Sequence, residues 1–182
     1  GVMEVVMGVD PACKTNEKSD YSAFVGSALH YATGIKYILP PIEARIKFHA
    51  KVDTALSYYQ RWQADLMGVE AVQFQIVLKE DIDKQAREKH MTVNVHPITQ
   101  NKEKTLRISR LFGPIKAGTI RFLRGCKHTQ TLIDQFINLY TTDYDDLADA
   151  CEMSQYCHDR LAERRAKKSG VRAKVMDKQN SQ

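Results

Sequence analysis

At 182 residues, with 43% hydrophobic and 27% charged side chains, the chain has the length of one domain, or one domain with a tail, and the composition of an ordinary soluble protein. No apolar run reaches the roughly 18–20 residues that a membrane span needs, and the opening GVMEVVMGVDP lacks the basic start of a signal peptide. The formal charge of +5 belongs to the C-terminal end, because from His158 onward there are eight Lys/Arg against three Asp/Glu, leaving the body near neutral.

Val2 to Val9 is a short apolar run rich in β-branched residues that stops at Asp10-Pro11, which predicts a buried central strand. The stretch from Asp10 to Asp20 is a polar turn. Strands follow over Tyr21 to His30 and Ile35 to Pro40, separated by Gly34, so the first three strands are expected to form an antiparallel meander. From Lys47 to Met67 the period changes: Phe48, Val52, Ala55, Leu56, Tyr59, Trp62 and Leu66 recur at three and four residues, predicting a long amphipathic helix stopped by Gly68.

Val69 to Phe74 predicts a strand, Ile76 to His90 a helix with Ile76, Leu78, Ile82 and Ala86 inward, and Val93 to Ile98 another strand. This helix–strand alternation argues for parallel pairing. Further helices are expected over Lys102 to Phe112, Gln130 to Tyr140 and Asp143 to Arg165, with a brief strand at Gly118 to Phe122. Leu147, Cys151, Ser154, Cys157 and Leu161 form the inner stripe of the last helix. Beyond it no apolar stripe continues, so residues 1–165 are expected to fold and 166–182 to form a basic, disordered tail. The initial Gly1 suggests a piece of a longer chain. Cys13, Cys126, Cys151 and Cys157 show no zinc spacing and are expected to be reduced thiols.

Three groups of carboxylates stand out. Asp10 ends the first strand, at the edge where α/β sheets place ligands. Glu70 lies inside an apolar strand, where a buried carboxylate is costly without a partner or a metal. Asp145, Asp146 and Asp149 open the last helix, and Asp146 and Asp149, three apart, share a face. Each has a plainer explanation: a turn residue before proline, a solvated sheet face, a helix cap near the positive end of the macrodipole. None of these explains why the strand order should bring all three groups together.

Carboxylates about 5 Å apart would repel by roughly 3 kcal/mol per pair, so such a cluster takes up protons or a divalent cation. Oxygen-only ligands favour Mg²⁺ or Mn²⁺ over zinc. Two such ions about 4 Å apart can activate a water and stabilise the leaving oxygen of a phosphodiester, with no side-chain nucleophile. Lys102, Lys104, Arg107 and Arg110, with Arg121, Arg124 and Lys127 on a neighbouring loop, could contact DNA phosphates; a solvated helix face is the alternative. Trp62, Tyr58 and Tyr59 sit at helical spacing and are expected in the core, and His128 is expected as a surface or capping residue.

Two motifs sharpen this picture. GVDPACKTNEKSDYSAF resembles the opening of the nuclease domains of bacteriophage large terminases, where a strand ends in GxDPA and a second Asp precedes a small-residue strand. YDDLADA resembles their closing motif, HDDxxDA, with Tyr144 where the family often has His. The resemblance spans roughly residues 2 to 160. It implies a ribonuclease H-like α/β fold, with a mixed central sheet of five or slightly more strands and helices on both faces, akin to integrases and Holliday-junction resolvases. It also implies that Asp10, Glu70 and Asp146 form a catalytic metal-binding triad, with Asp145 or Asp149 near a second ion. Asp20 matches a family position of undefined role.

The activity so implied is cleavage of double-stranded DNA with little sequence preference, dependent on two Mg²⁺ or Mn²⁺ ions. The partners implied are DNA, an ATPase motor domain of the same full-length chain, a portal and a small terminase subunit, acting in the cytoplasm of an infected bacterium. No GxxxxGK[ST] occurs, so ATP hydrolysis is not expected of this chain alone. The alternatives are a junction resolvase of the same fold and a non-catalytic module that binds nucleic acid.

Overall fold

The computed structural model describes residues 2–11, 21–71, 78–142 and 144–179. Strand β1 (Met3–Asp10) sends successive side chains to opposite faces of the sheet, and that alternation organises the domain. Met7 and Val9 enter one hydrophobic cluster; Val6 enters a different one, against Met153 and Cys157. Around β1 lie β2 (Ser22–His30), β3 (Ile35–Ile38), β4 (Ile42–Ala44), β5 (Leu66–Glu70), β6 (Val95–Ile98) and β7 (Ile120–Phe122). The sheet order is β6-β5-β1-β2-β3-β7, with β4 pairing β2 off this path. β1, β2 and β3 form the expected antiparallel meander, while β5 joins β1, β6 joins β5 and β7 joins β3 in parallel.

One face of the sheet is covered by α1 (Phe48–Trp62) and α2 (Lys79–Glu88), whose Val52, Leu56, Tyr59, Ile82 and Ala86 pack on Met7, Val9, Phe24 and Met67. The Tyr58 hydroxyl accepts a bond from the Gly26 amide at 3.0 Å and donates to the Pro40 carbonyl at 3.0 Å, so this aromatic belongs to the core. The opposite face carries α3 (Lys104–Ser109), α4 (Phe112–Lys116), α5 (Thr129–Ile137) and α6 (Asp146–Gln179). There Ile108, Leu111, Leu132, Phe136, Leu147 and Cys151 pack with Ala23, Val25 and Ile38. Burial pushes the Cys151 and Cys157 thiols up to about 12, which keeps both protonated and inert.

Three expectations are corrected. Gly68 does not stop α1; the helix ends at Trp62 and Gln63 takes a left-handed φ of 49°, while Gly68 lies within β5. The strand expected at 69–74 runs from Leu66 to Glu70, and residues 72–77 lie outside the described ones. The helix expected over 102–112 is two short helices. Pro114 has no amide hydrogen, and its ring would clash with the carbonyl of Arg110, so one continuous helix cannot pass. α6 continues as helical backbone to Gln179. Its residues 162–169 are exposed, as the missing apolar stripe requires.

α6 lies unusually close to the sheet. A Cβ on Gly8 would come within 2.0 Å of the Ala150 carbonyl oxygen and 2.7 Å of the Ser154 nitrogen. Gly68, paired with Gly8 across the parallel register, plays the same part beneath Cys157, whose Sγ would be 2.6 Å from an added Cβ. At the opposite end of β1 from Asp10, the contact is polar. His158 Nδ1 lies 2.7 Å from Glu4 Oε1, and its Nε2 lies 3.0 Å from Ser27 Oγ. Arg165 pairs with the other oxygen of Glu4, and Tyr31 donates to that oxygen at 3.1 Å. A neutral imidazole satisfies both contacts, donating from Nδ1 to Glu4 and accepting the Ser27 hydroxyl at Nε2, while Arg165 balances the carboxylate charge.

Gly8→Ala is expected to destabilise the fold by about 3 kcal/mol, because the methyl meets main chain that cannot yield. Chemical denaturation measures this, and an unchanged midpoint would mean that α6 is not seated on β1. His158 supplies a pH dependence. Burial, with some repulsion from Lys36 and an opposing pull from Asp159, holds its imidazole down to about 3, against about 6.5 in an unfolded chain. The unfolded state therefore binds a proton that the folded state refuses. Stability should be complete above about pH 6.5 and decline as the pH falls toward 3. Thermal midpoints across that window should slope less in His158→Gln than in the wild type.

Candidate active site

Strand alternation aims the first carboxylates. Glu4, Val6, Gly8 and Asp10 share the α6 face of β1, so the same geometry that seats the helix turns Asp10 toward its N-terminal end. Asp10 is 8% exposed and forms the last β1 pair, with Ala23. The chain leaves the sheet at Pro11, whose carbonyl accepts bonds from Ser22 Oγ at 3.0 Å and Lys51 Nζ at 2.6 Å. On β5, Leu66, Gly68 and Glu70 share the corresponding face. Glu70 stands one step beyond the Val9–Val69 pair, beside Asp10 at the same end of the sheet, and is half-buried.

The remaining acids come from α6. Asp145 directly precedes it, and Asp149 and Glu152 follow at four and seven residues, so all three lie along one side of the helix. They face Lys104, Arg107 and Arg110 of α3 and its C-terminal end, themselves spaced by three. Lys104 Nζ lies 2.7 Å from Asp145, 3.4 Å from Asp149 and 3.8 Å from Asp10. Arg107, 5% exposed, spans Asp149 at 3.0 Å and Glu152 at 2.8 Å, and Arg110 reaches Glu152 at 3.3 Å. Glu103 caps α3, accepting bonds from the Thr105 and Leu106 amides, which fixes where Lys104 starts the helix. Burial works against the Lys104 charge, yet Asp149, Asp10 and Asp145 together outweigh it and hold its pKa above the ordinary lysine value.

Three carboxylates from β1 and α6 thus share one cation. They are hard oxygen donors, and the compact ammonium among them marks where positive charge is wanted, so the residues suit a divalent ion such as Mg²⁺ or Mn²⁺. Among the described residues, no three His, Cys, Asp or Glu side chains are already drawn together tightly enough to hold a metal.

The other sequence-derived candidates take varied positions. Asp146 is the first residue of α6 and half-buried, while Tyr144 before it is exposed. Arg107 is internal, engaged with carboxylates rather than lying on an open rim. Lys102 and Arg110 are exposed beside it and line a cleft of about 640 Å³ that runs along the ion pairs. Arg121 is exposed on β7, and Arg124 and Lys127 are exposed on the loop that follows. β7 is three strand positions from β1, roughly 14 Å away, so this second basic group does not join the carboxylates. His128 is half-buried at the start of α5 and makes no side-chain cap. Asp20 and Cys13 lie outside the described residues. Sequence reasoning overlooked Glu152. Its signal is the spacing from Asp145 and Asp149, matched by the three-residue spacing of the cations on α3.

Comparison with known proteins agrees with this architecture. Among curated protein sequences none matches. The human cytomegalovirus terminase nuclease domain superposes with a TM-score of 0.64 at 16% identity, covering 85% of this chain and 82% of that one. The large terminase nuclease of the thermophilic phage G20c, with bound zinc, gives 0.58 at 18% identity, covering 84% and 80%. The fowlpox virus Holliday junction resolvase gives 0.56 at 12% identity, covering 86% and 99%. These likenesses establish the ribonuclease H-like fold. The family model described as the terminase RNaseH-like domain matches residues 7–157, from β1 through the buried part of α6, and the chain belongs to that family.

Proposed function

We propose that this domain is a divalent-metal-dependent endonuclease that cuts double-stranded DNA with little sequence preference, as the nuclease part of a viral DNA-packaging terminase. The observation that carries this reading is the convergence of Asp10, Asp145 and Asp149 on a single cation where β1 and α6 meet. Glu70 stands at the same end of the sheet by register, and Asp146 opens the helix. Asp10, Glu70 and Asp146 would hold Mg²⁺ or Mn²⁺, in one or two positions, with Asp145 and Asp149 close by. When bound, the metal supplies an activated water and charge stabilisation for the phosphodiester. The protein's share is positioning: Arg107 keeps Asp149 and Glu152 fixed, and β1 pairing ends at Asp10, directly before Pro11. Lys102 and Arg110, exposed along the cleft, are suited to DNA phosphates and would set the duplex in place without reading its sequence. A motor domain, a portal and a small subunit would supply DNA movement and the choice of cutting site.

Supercoiled plasmid incubated with Mn²⁺, Mg²⁺ or EDTA tests the reading. Nicking and linearisation should require metal and should vanish in Asp146→Ala. DNA binding without cleavage under either metal would point to a binding module instead. Preference for a four-way junction over linear duplex would point to a resolvase. Removing Arg107 should act differently. Arg107→Ala leaves Asp149 and Glu152 buried without their shared partner and should destabilise the fold by about 3 kcal/mol, measured by denaturation without metal or DNA.

A further inference from the structure

Lys104 is expected from the sequence at a phosphate-contacting rim, yet it sits within the carboxylate cluster. Its ammonium touches Asp10, Asp145 and Asp149, and its side chain is 34% exposed. Arg107, one turn further along α3, also binds Asp149, but through the other oxygen: Lys104 faces Oδ2 and Arg107 faces Oδ1. The two cations differ in what else holds them. Arg107 is anchored by Glu152 at 2.8 Å and by the Lys102 carbonyl, which accepts from its Nε at 3.3 Å. Among the described residues, the ammonium of Lys104 is held by the carboxylates of the site.

Resting on the metal-dependent reading above, we propose that Lys104 is the resident counter-cation of the site, and that a divalent ion enters by displacing it. The exchange breaks no covalent bond and transfers no proton: the ammonium leaves Asp10, Asp145 and Asp149, and the dication is held by Asp10 together with Glu70 and Asp146, with Asp145 and Asp149 close by. The long, flexible lysine stem can swing toward solvent at small cost, whereas the buried guanidinium of Arg107 cannot. Until the ion arrives, the lysine relieves the repulsion between Asp10, Asp145 and Asp149. The cost is that metal must compete with an ammonium already in place, so the lysine weakens metal binding even as it supports the metal-free fold.

The test is calorimetric titration of Mn²⁺ into the 182-residue chain, comparing the wild type with Lys104→Met and Lys104→Arg. Lys104→Met keeps the aliphatic stem and removes the charge, and it should bind Mn²⁺ at least about tenfold more tightly. Lys104→Arg restores a cation and should return toward wild-type affinity. Equal or weaker binding by Lys104→Met, with a native circular dichroism spectrum, overturns the proposal. Should that variant not fold, the wild type answers alone: the Lys104 ammonium resonance, followed by NMR, should change as Mg²⁺ is added, and an unmoved resonance in a metal-saturated protein overturns the displacement. Failure of any variant to bind Mn²⁺, together with no plasmid cleavage, would overturn the metal-dependent reading itself. Binding that ignores Lys104 would overturn only this inference.

Discussion

The contact on which the rest depends is the seating of α6 against β1 at Gly8. Backbone meets backbone there, with no room for even a methyl group between Gly8 and the Ala150 carbonyl. Because β1 alternates and α6 crosses it so closely, placing Gly8 under Ala150 and Ser154 also sets its neighbours. Two residues one way, Val6 packs against Met153 and Cys157, and two further, Glu4 binds His158. Two residues the other way, Asp10 comes within reach of the cation that binds Asp145 and Asp149. One close approach therefore sets the distance between carboxylates that come from opposite ends of the sequence.

The two ends of this contact handle charge differently. At the Glu4 end Glu4, His158 and Ser27 are deeply buried and satisfy one another, with the more exposed Arg165 covering the outer oxygen. A neutral imidazole there costs little, because both of its nitrogens are paired. At the Asp10 end the same helix presents acids that one another's presence makes unfavourable, and α3 with its C-terminal end supplies Lys104, Arg107 and Arg110 as counter-charges to them. The spacing of three along α3 against four and three along α6 makes this possible, since both place side chains along a single helical side. The result is graded. The Arg107 end is buried and doubly anchored, and the Lys104 end opens to solvent.

Much of this was legible in the sequence. The run from Val2 to Val9 ending at Asp10-Pro11, and the period change after Lys47, predict the meander, the first covering helix and the parallel strands beyond it. The carboxylates were legible as candidates because acids at strand ends and at the start of an otherwise apolar helix are costly without a purpose. What the sequence did not disclose was close approach. Gly68 looks like a helix stop because glycine breaks helices, but its use here is to leave room for Cys157, and that follows only from the packed structure. The partners of the cations were equally hidden. Lys102, Lys104, Arg107 and Arg110 look alike in a helical window. Only the register between α3 and α6 separates the exposed Lys102 from the internal Arg107, and Lys104 from both.

That register has a consequence for how such a site can work. A cluster of carboxylates fixed rigidly at metal-binding distance would strain the fold whenever no metal was present, because each close pair costs a few kcal/mol. A cluster left open would bind metal but position it poorly. Here the burden is divided between rigid and movable parts. β1, β5 and the first turns of α6 are set by the sheet and by Arg107, which fixes the backbone that carries their carboxylates. The cation at the solvent-facing end is a lysine, the residue whose stem is longest and least constrained. In the exchange proposed for Lys104, the adjustment between the ion-free and ion-bound states would fall on one side chain rather than on the sheet.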